Sequence, residues 1–151
     1  MRISAKADYA VRAAVEMAAA GDEPVKGEKL AEAQDIPLQF LEHILLELKH
    51  ARLVRARRGA RGGYWLAQPP GEITLASVIR AVEGPLANIQ DQAPEQTKYP
   101  GNAEQLSEVW IAVRASLRRV LENVTIADLR DGKIPADVVE LTRDEGAWVT
   151  R

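Results

Sequence analysis

Residues 37–67 read PLQFLEHILLELKHARLVRARRGARGGYWLA, and this stretch restricts the fold more than any other. Phe40, Leu41, Ile44, Leu45 and Leu48 recur at helical spacing, while Gln39, Glu42, His43 and Glu47 fall elsewhere on the wheel. The first half is therefore a helix with one buried and one polar face. From Lys49 to Arg61 the chain carries six basic side chains (Lys49, Arg52, Arg55, Arg57, Arg58, Arg61) and no Asp or Glu. Gly59, Gly62 and Gly63 follow before the apolar Tyr64-Trp65-Leu66, so residues 53–57 and 64–67 read as two short strands around a glycine turn. A cationic hairpin placed directly after an amphipathic helix can lay positive charge along a phosphate backbone.

Upstream, Ser4 caps a helix running to about residue 20, with Ala10, Ala13, Ala14, Met17 and Ala18 as a small-residue stripe that lets another helix approach closely. Gly21-Asp22-Glu23-Pro24 breaks it. Residues 26–34 predict a short second helix with Leu30, Ala31 and Ala33 inside, and Asp35-Ile36-Pro37 turns the chain, with Pro37 at the first position of the third helix. Two helices joined by a brief turn, the second amphipathic, match the helix-turn-helix plan.

Downstream, Thr74 caps a helix whose apolar face is Leu75, Val78, Ile79 and Val82, and Glu83-Gly84-Pro85 stops it. Residues 86–102, rich in Gln, Asp, Pro and Gly, predict a loop. From about Ala103, Leu106, Trp110, Val113, Leu117, Val120 and Val124 recur at alternating steps of 4 and 3, the spacing of a coiled-coil seam. A helix over 103–124 would extend about 33 Å at 1.5 Å per residue. Such a seam wants a partner helix; the alternative is packing on its own domain alone. Thr125 opens a short capped segment, and beyond Pro135 the weak pattern predicts a poorly ordered tail.

Composition excludes more than it assigns. With 151 residues, 46% hydrophobic and 28% charged, the chain can bury one core or two small ones. No apolar run approaches the roughly 20 residues of a membrane span, and MRISAKADYA lacks a secretory apolar core. A soluble, cytoplasmic protein without membrane contact is expected. Zero cysteines remove disulfides, thiolate catalysis and cysteine-ligated metal sites. His43 and His50, seven apart, lack companions for a metal site. With no phosphate-binding Gly-rich motif before a helix and no supported Ser-His pairing, an enzyme is not expected. The net charge of −2 conceals +2 over residues 1–70 and −4 over residues 71–151, so only the local run at 49–61 argues for nucleic acid.

MRISAKADYAVRA, then IPLQFLEHILLELKHARLVRARRGARGGYWLAQPPGEITLASVIRAVEGPL, then VTIADL resemble, in that order, the Rrf2 family of bacterial winged-helix transcription regulators. The resemblance covers most of residues 1–130. It implies a mainly α fold with a small β-hairpin wing: a winged helix-turn-helix domain at 1–84, a loop at 85–102, a dimerisation helix with a short following helix at 103–131, and a tail at 132–151. It also implies a homodimer whose long helix crosses to the partner. Better-known members hold an iron–sulfur cluster on three cysteines of the loop after the GPL motif. Here that loop, ANIQDQAPEQTKYPGN, has none, so no cluster and no cofactor is expected. In some members a further ligand comes from the first helix, at positions held here by Asp8 or Arg12; one helical turn apart, these two read more simply as an ion pair. Cysteine-poor relatives imply a small molecule or a partner enzyme as effector.

If residues 37–51 enter a major groove, Leu38, Gln39, Glu42 and His43 should reach base edges, and the family places a Glu at Glu42 too. Arg57, Arg58 and Arg61, on a turn whose Gly59, Gly62 and Gly63 let the backbone approach phosphate, suit a minor groove. Lys6, Lys49, Arg52 and Arg55 suit phosphates. Tyr9 and Phe40 are open between core packing and stacking on the backbone. Trp65 and Trp110 read first as core or interface aromatics; with Asp8, Tyr9 and Arg12 they are also the candidates for an effector pocket between head and long helix. The expected function is a homodimeric DNA-binding transcriptional regulator, with repression the expected sense. The alternative is a winged-helix interaction module acting through a partner enzyme or polymerase subunit.

Overall fold

Helices and one hairpin make the head, and each boundary has a local cause. The computed structural model describes residues 2–150; Met1 and Arg151, the outer bounds of the expected head and tail, lie outside the described residues. Helix α1 (Ala5–Ala19) starts at Ser4, whose hydroxyl oxygen accepts from the Ala7 N–H at 3.0 Å and whose O–H donates to Glu83. Helix α2 (Gly27–Gln34) ends at Asp35 in the left-handed conformation, φ 51°, which short polar side chains tolerate. The Ile36 N–H then returns to the Ala31 carbonyl at 2.9 Å, and buried Ile36 closes the turn. Helix α3 (Leu38–His50) follows, with Pro37 as its cap rather than its first residue.

The stripe of α1 and the inner face of α3 meet as expected: Ala10, Ala13, Met17, Leu41, Ile44, Leu45 and Leu48 are all fully buried in one core. Each large side chain there contributes about 1.5–3 kcal/mol as an upper estimate. Three residues depart from the periodic reading. Ala33 is exposed. Phe40 is 38% exposed and meets Tyr9 edge-on, ring centroids 5.6 Å apart. Leu38 turns inward against the core.

Strands β1 (Val54–Arg57) and β2 (Gly63–Leu66) pair antiparallel, with Val54 opposite Leu66 and Arg57 opposite Gly63. An isolated bridge adds to them: the Val25 N–H donates to the Tyr64 carbonyl at 2.9 Å, and the Tyr64 N–H to the Val25 carbonyl at 2.8 Å. The wing is thereby stitched to the link between α1 and α2. Helix α4 (Leu75–Glu83) is capped by Thr74 and packs on α1.

Helix α5 (Leu106–Leu121) is shorter than the 103–124 expected, about 24 Å at 1.5 Å per residue. It stops because Thr125 must be extended (φ −101°, ψ 164°) to cap helix α6 (Ile126–Asp131), where Thr125 and Asp128 form a reciprocal capping box. Val124 is therefore not a seam residue. It is buried, and its carbonyl accepts from the Leu75 N–H at 2.9 Å while the Ile126 N–H donates to the Ile73 carbonyl at 2.9 Å. These bonds bring α6 back onto α1, so the short helix expected with the dimerisation unit belongs to the head. Ile126→Ala is expected to lower stability by about 2–4 kcal/mol, because the side chain is fully buried in the core; a thermal or denaturant melt unchanged by the substitution would refute this placement. The tail is also more ordered than expected: α7 (Ala136–Leu141) and a 3₁₀ turn at Glu145–Trp148 follow.

Candidate nucleic-acid interface

The outward face of α3 presents Gln39, Glu42, His43 and Lys49, all exposed. Leu46, on the same side and 48% exposed, escaped the periodic reading because apolar residues are assigned to the core by default. Glu42, Leu46 and Lys49 form one wall of a groove of about 520 Å³; Arg57, Arg58 and Gly59 of the wing and Lys26 at the start of α2 form the other. Lys49 also borders a neighbouring hollow with Arg52, Arg55 and Trp65. The helix face and the hairpin are thus one continuous surface.

Glu28 and Glu42 border the groove, yet among the described residues neither pairs with its cations. Lys49, Arg52, Arg55, Arg57, Arg58 and Arg61 are exposed, and none forms an ion pair among the described residues. Arg57 instead donates to the Arg61 carbonyl at 3.0 Å and organises the turn. Lys26 donates to the Gly59 carbonyl, pinning the wing tip; a cation at a helix N-terminus opposes the macrodipole, and that was the one sequence hint that Lys26 serves elsewhere. Val25 gave no hint, since a single bridging residue has no periodicity.

Two expected roles change. Lys6, read as a phosphate contact, pairs with Glu47 at 2.8 Å and ties α1 to α3. Gly62 and Gly63, read as clearing room for phosphate, are buried and clear room for the protein's own backbone. A Cβ on Gly62 would lie 2.0 Å from the Arg57 carbonyl oxygen, and one on Gly63, φ +148°, 2.6 Å from that of Val25. Gly59, φ +103° with open space around it, remains free at the tip.

The five effector-pocket candidates are not brought together. Asp8 and Arg12 pair at 3.0 Å as expected. Arg12 also lies 5.1 Å from the Tyr9 ring centroid and donates to Gln34, so Arg12 joins α1 to α2. Trp65 lies on the wing and Trp110 on α5, which meets the head chiefly through α4 and the turn Pro94–Gln96.

Against known proteins, the model of a family described as Rrf2, iron-dependent transcriptional regulator, matches residues 3–132. The chain belongs to the Rrf2 family. It is 50% identical over 145 residues to a provisionally named HTH-type transcriptional regulator of Mycobacterium tuberculosis, covering 95% of this chain and 90% of that one. It is 32% identical over 133 residues to the HTH-type transcriptional regulator CymR of Bacillus subtilis, covering 85% and 89%. The solved B. subtilis CymR, titled a global cysteine regulator, superposes with TM-score 0.70 at 30% identity, covering 87% of this chain and 97% of CymR. IscR of T. potens gives 0.69 at 30% identity, covering 100% and 93%. This Rrf2 chain is a winged-helix, DNA-binding transcriptional regulator, not an enzyme. No helix among its described residues is long and apolar enough to cross a membrane.

Iron in the family description meets a poor donor set here. The chain has no thiol. No group of three or more His, Asp or Glu converges among the described residues. In the Rrf2 cluster-loop position, Glu95 is instead committed to Arg114 at 2.7 Å. A thiolate-held cluster does not fit these residues.

That ion pair and Arg80–Glu122 fasten α5 to the rest of the chain. Glu95 is held below its ordinary pKa of 4.5 by its own backbone N–H and then by the Arg114 guanidinium, and Glu122 by the Arg80 guanidinium. Depressed carboxylates add stability above their unfolded pKa and lose it as pH falls through the folded value. Acidification below about pH 4.5 is therefore expected to loosen α5 before the uncharged core gives way. Faster amide exchange in α5 than in α1 and α3 on acidification checks this; parallel loss in all three contradicts it.

Proposed function

We propose that this chain acts as a homodimer that represses transcription by occupying a pseudo-palindromic operator, each copy presenting α3 to a major groove and its wing to the flanking minor groove. The observation that carries the reading is the exposed run of six cations from Lys49 to Arg61 without one carboxylate partner among the described residues, continuous with the outward face of α3. Unneutralised cations in register with a helix face match phosphates on either side of a groove. Gln39, Glu42 and His43 then read base edges, and Lys49, Arg52 and Arg55 hold the backbone.

Dimerisation is supported by α5, a helix of 16 residues with none buried. Leu106, Trp110, Val113, Leu117 and Val120 each keep part of their surface in water. A second copy of α5 would cover them, and a two-fold axis would set the heads one helical turn, or a multiple, apart on DNA. A small molecule or partner enzyme would regulate the dimer by binding one relative placement of the heads more tightly than another.

The test is titration of purified protein against the promoter of its own gene by fluorescence anisotropy, with mass measured in dilute solution. Two chains per operator and affinity that falls steeply with salt are expected. Single chains in dilute solution, with no DNA retention even at low salt, would refute the proposal; retention only with a second protein would favour an interaction module instead.

A further inference from the structure

The centre of the outward face of α3 is apolar. At 3.6 residues per turn, the exposed side chains opposite the core of this helix span an arc of about 120°. Leu46 stands in the middle of that arc, with Glu42 and Lys49 to one side and Gln39, His43 and His50 to the other. It is 48% exposed, and it stands on the wall of the groove rather than against the core. Phe40, the other exposed apolar side chain of α3, lies outside the arc and has a partner in Tyr9.

A lone exposed leucine means little on an ordinary surface. Its neighbours make this one informative. Lys49 lies beside it, and Lys26, Arg57 and Arg58 stand across the groove. Cations serve phosphates, which gain nothing from a branched alkyl group set among them. The major groove does display one apolar recognition element, the C5-methyl group of thymine, which the other three bases lack. An alkyl side chain that displaces water from that methyl group favours thymine over cytosine at the same step. Leu46 also lies one helical turn, about 6 Å, beyond Glu42 along α3. At about 3.4 Å per base pair, the base it meets falls within about two steps of the one Glu42 contacts.

We propose that Leu46 is a specificity-determining residue that packs on the C5-methyl group of one thymine in each operator half-site. This rests on the major-groove placement of α3 proposed above and adds a base identity to it. The probe is a duplex enriched by the wild-type protein from a random pool. Replacing its thymines one at a time with deoxyuridine removes the methyl group and keeps every hydrogen-bonding atom. At one position in each half-site, the wild type is expected to lose about fourfold in affinity, the worth of one buried methyl group. Leu46→Ala should bind the thymine and deoxyuridine duplexes alike, with the melting temperature of the wild type. The scan with wild-type protein alone does not depend on how the variant folds. A wild type that tolerates every deoxyuridine while still binding the parent duplex overturns the contact and leaves the regulator reading standing. An equal loss in Leu46→Ala assigns the methyl group to another residue and also overturns it. No duplex enriched from the pool, and none retained at low salt, overturns both.

Discussion

Arg58→Ala combined with Arg61→Ala is expected to weaken operator binding by at least about tenfold, equivalent to some 1.4 kcal/mol, while leaving the melting temperature unchanged. Both side chains are exposed and form no ion pair among the described residues, so their removal breaks none of those pairs. The turn survives, because what Arg61 contributes to it is its backbone carbonyl, which accepts from Arg57 and is kept in alanine. Only interactions with DNA are lost, and the effect should appear in two readouts. Affinity falls, and the slope of log affinity against log salt becomes shallower by roughly 0.9 for each phosphate contact removed. Equal affinity and an unaltered slope would remove the wing from the interface.

Gly63→Ala should act by the opposite route, through the fold. Its Cβ would enter at 2.6 Å from the Val25 carbonyl oxygen and 2.7 Å from its carbon, both backbone atoms that cannot swing aside. Residue 63 also has φ +148°, a region that side chains rarely adopt. Strain and overpacking of this kind cost about 1–3 kcal/mol each, so the hairpin is expected to detach from the Val25 link. Loss of amide protection at Tyr64, whose N–H donates to Val25 at 2.8 Å, is the specific signature. DNA affinity should fall with it, since Arg58 and Arg61 lose their platform, while the α1–α3 core remains. A variant with unchanged Tyr64 protection would show that the bridge does not hold the wing.

The two substitutions separate what was readable in advance from what was not. The cationic run and the flanking strands are local patterns, and the hairpin formed within one residue of where they place it. The glycines were recognised as necessary but assigned the wrong neighbour: local sequence shows that a backbone passes close, not which one. Competing local signals explain α5. Heptad spacing continued to Val124, yet the Thr125–Asp128 capping box required an extended residue at 125, and the cap prevailed because it satisfies two backbone donors at once. The tail was misjudged because its anchor, Asn123 to Asp137, joins residues with no shared pattern. The assembly of an effector pocket could not be read at all, since Asp8, Trp65 and Trp110 sit on elements whose separation no spacing records.

By itself the amino-acid order determined the head of this Rrf2 chain: helical periodicity, Ser and Thr caps, a proline turn and a charge run all act within a few residues, where covalent geometry and side-chain chemistry suffice. Tertiary structure alone decided that Val25 bridges to the wing, that Lys6 ties helices together, and that α6 returns to the head through Ile73 and Val124. Those outcomes depend on distant backbone groups finding hydrogen-bond partners out of water, and which groups meet follows from how the whole chain packs.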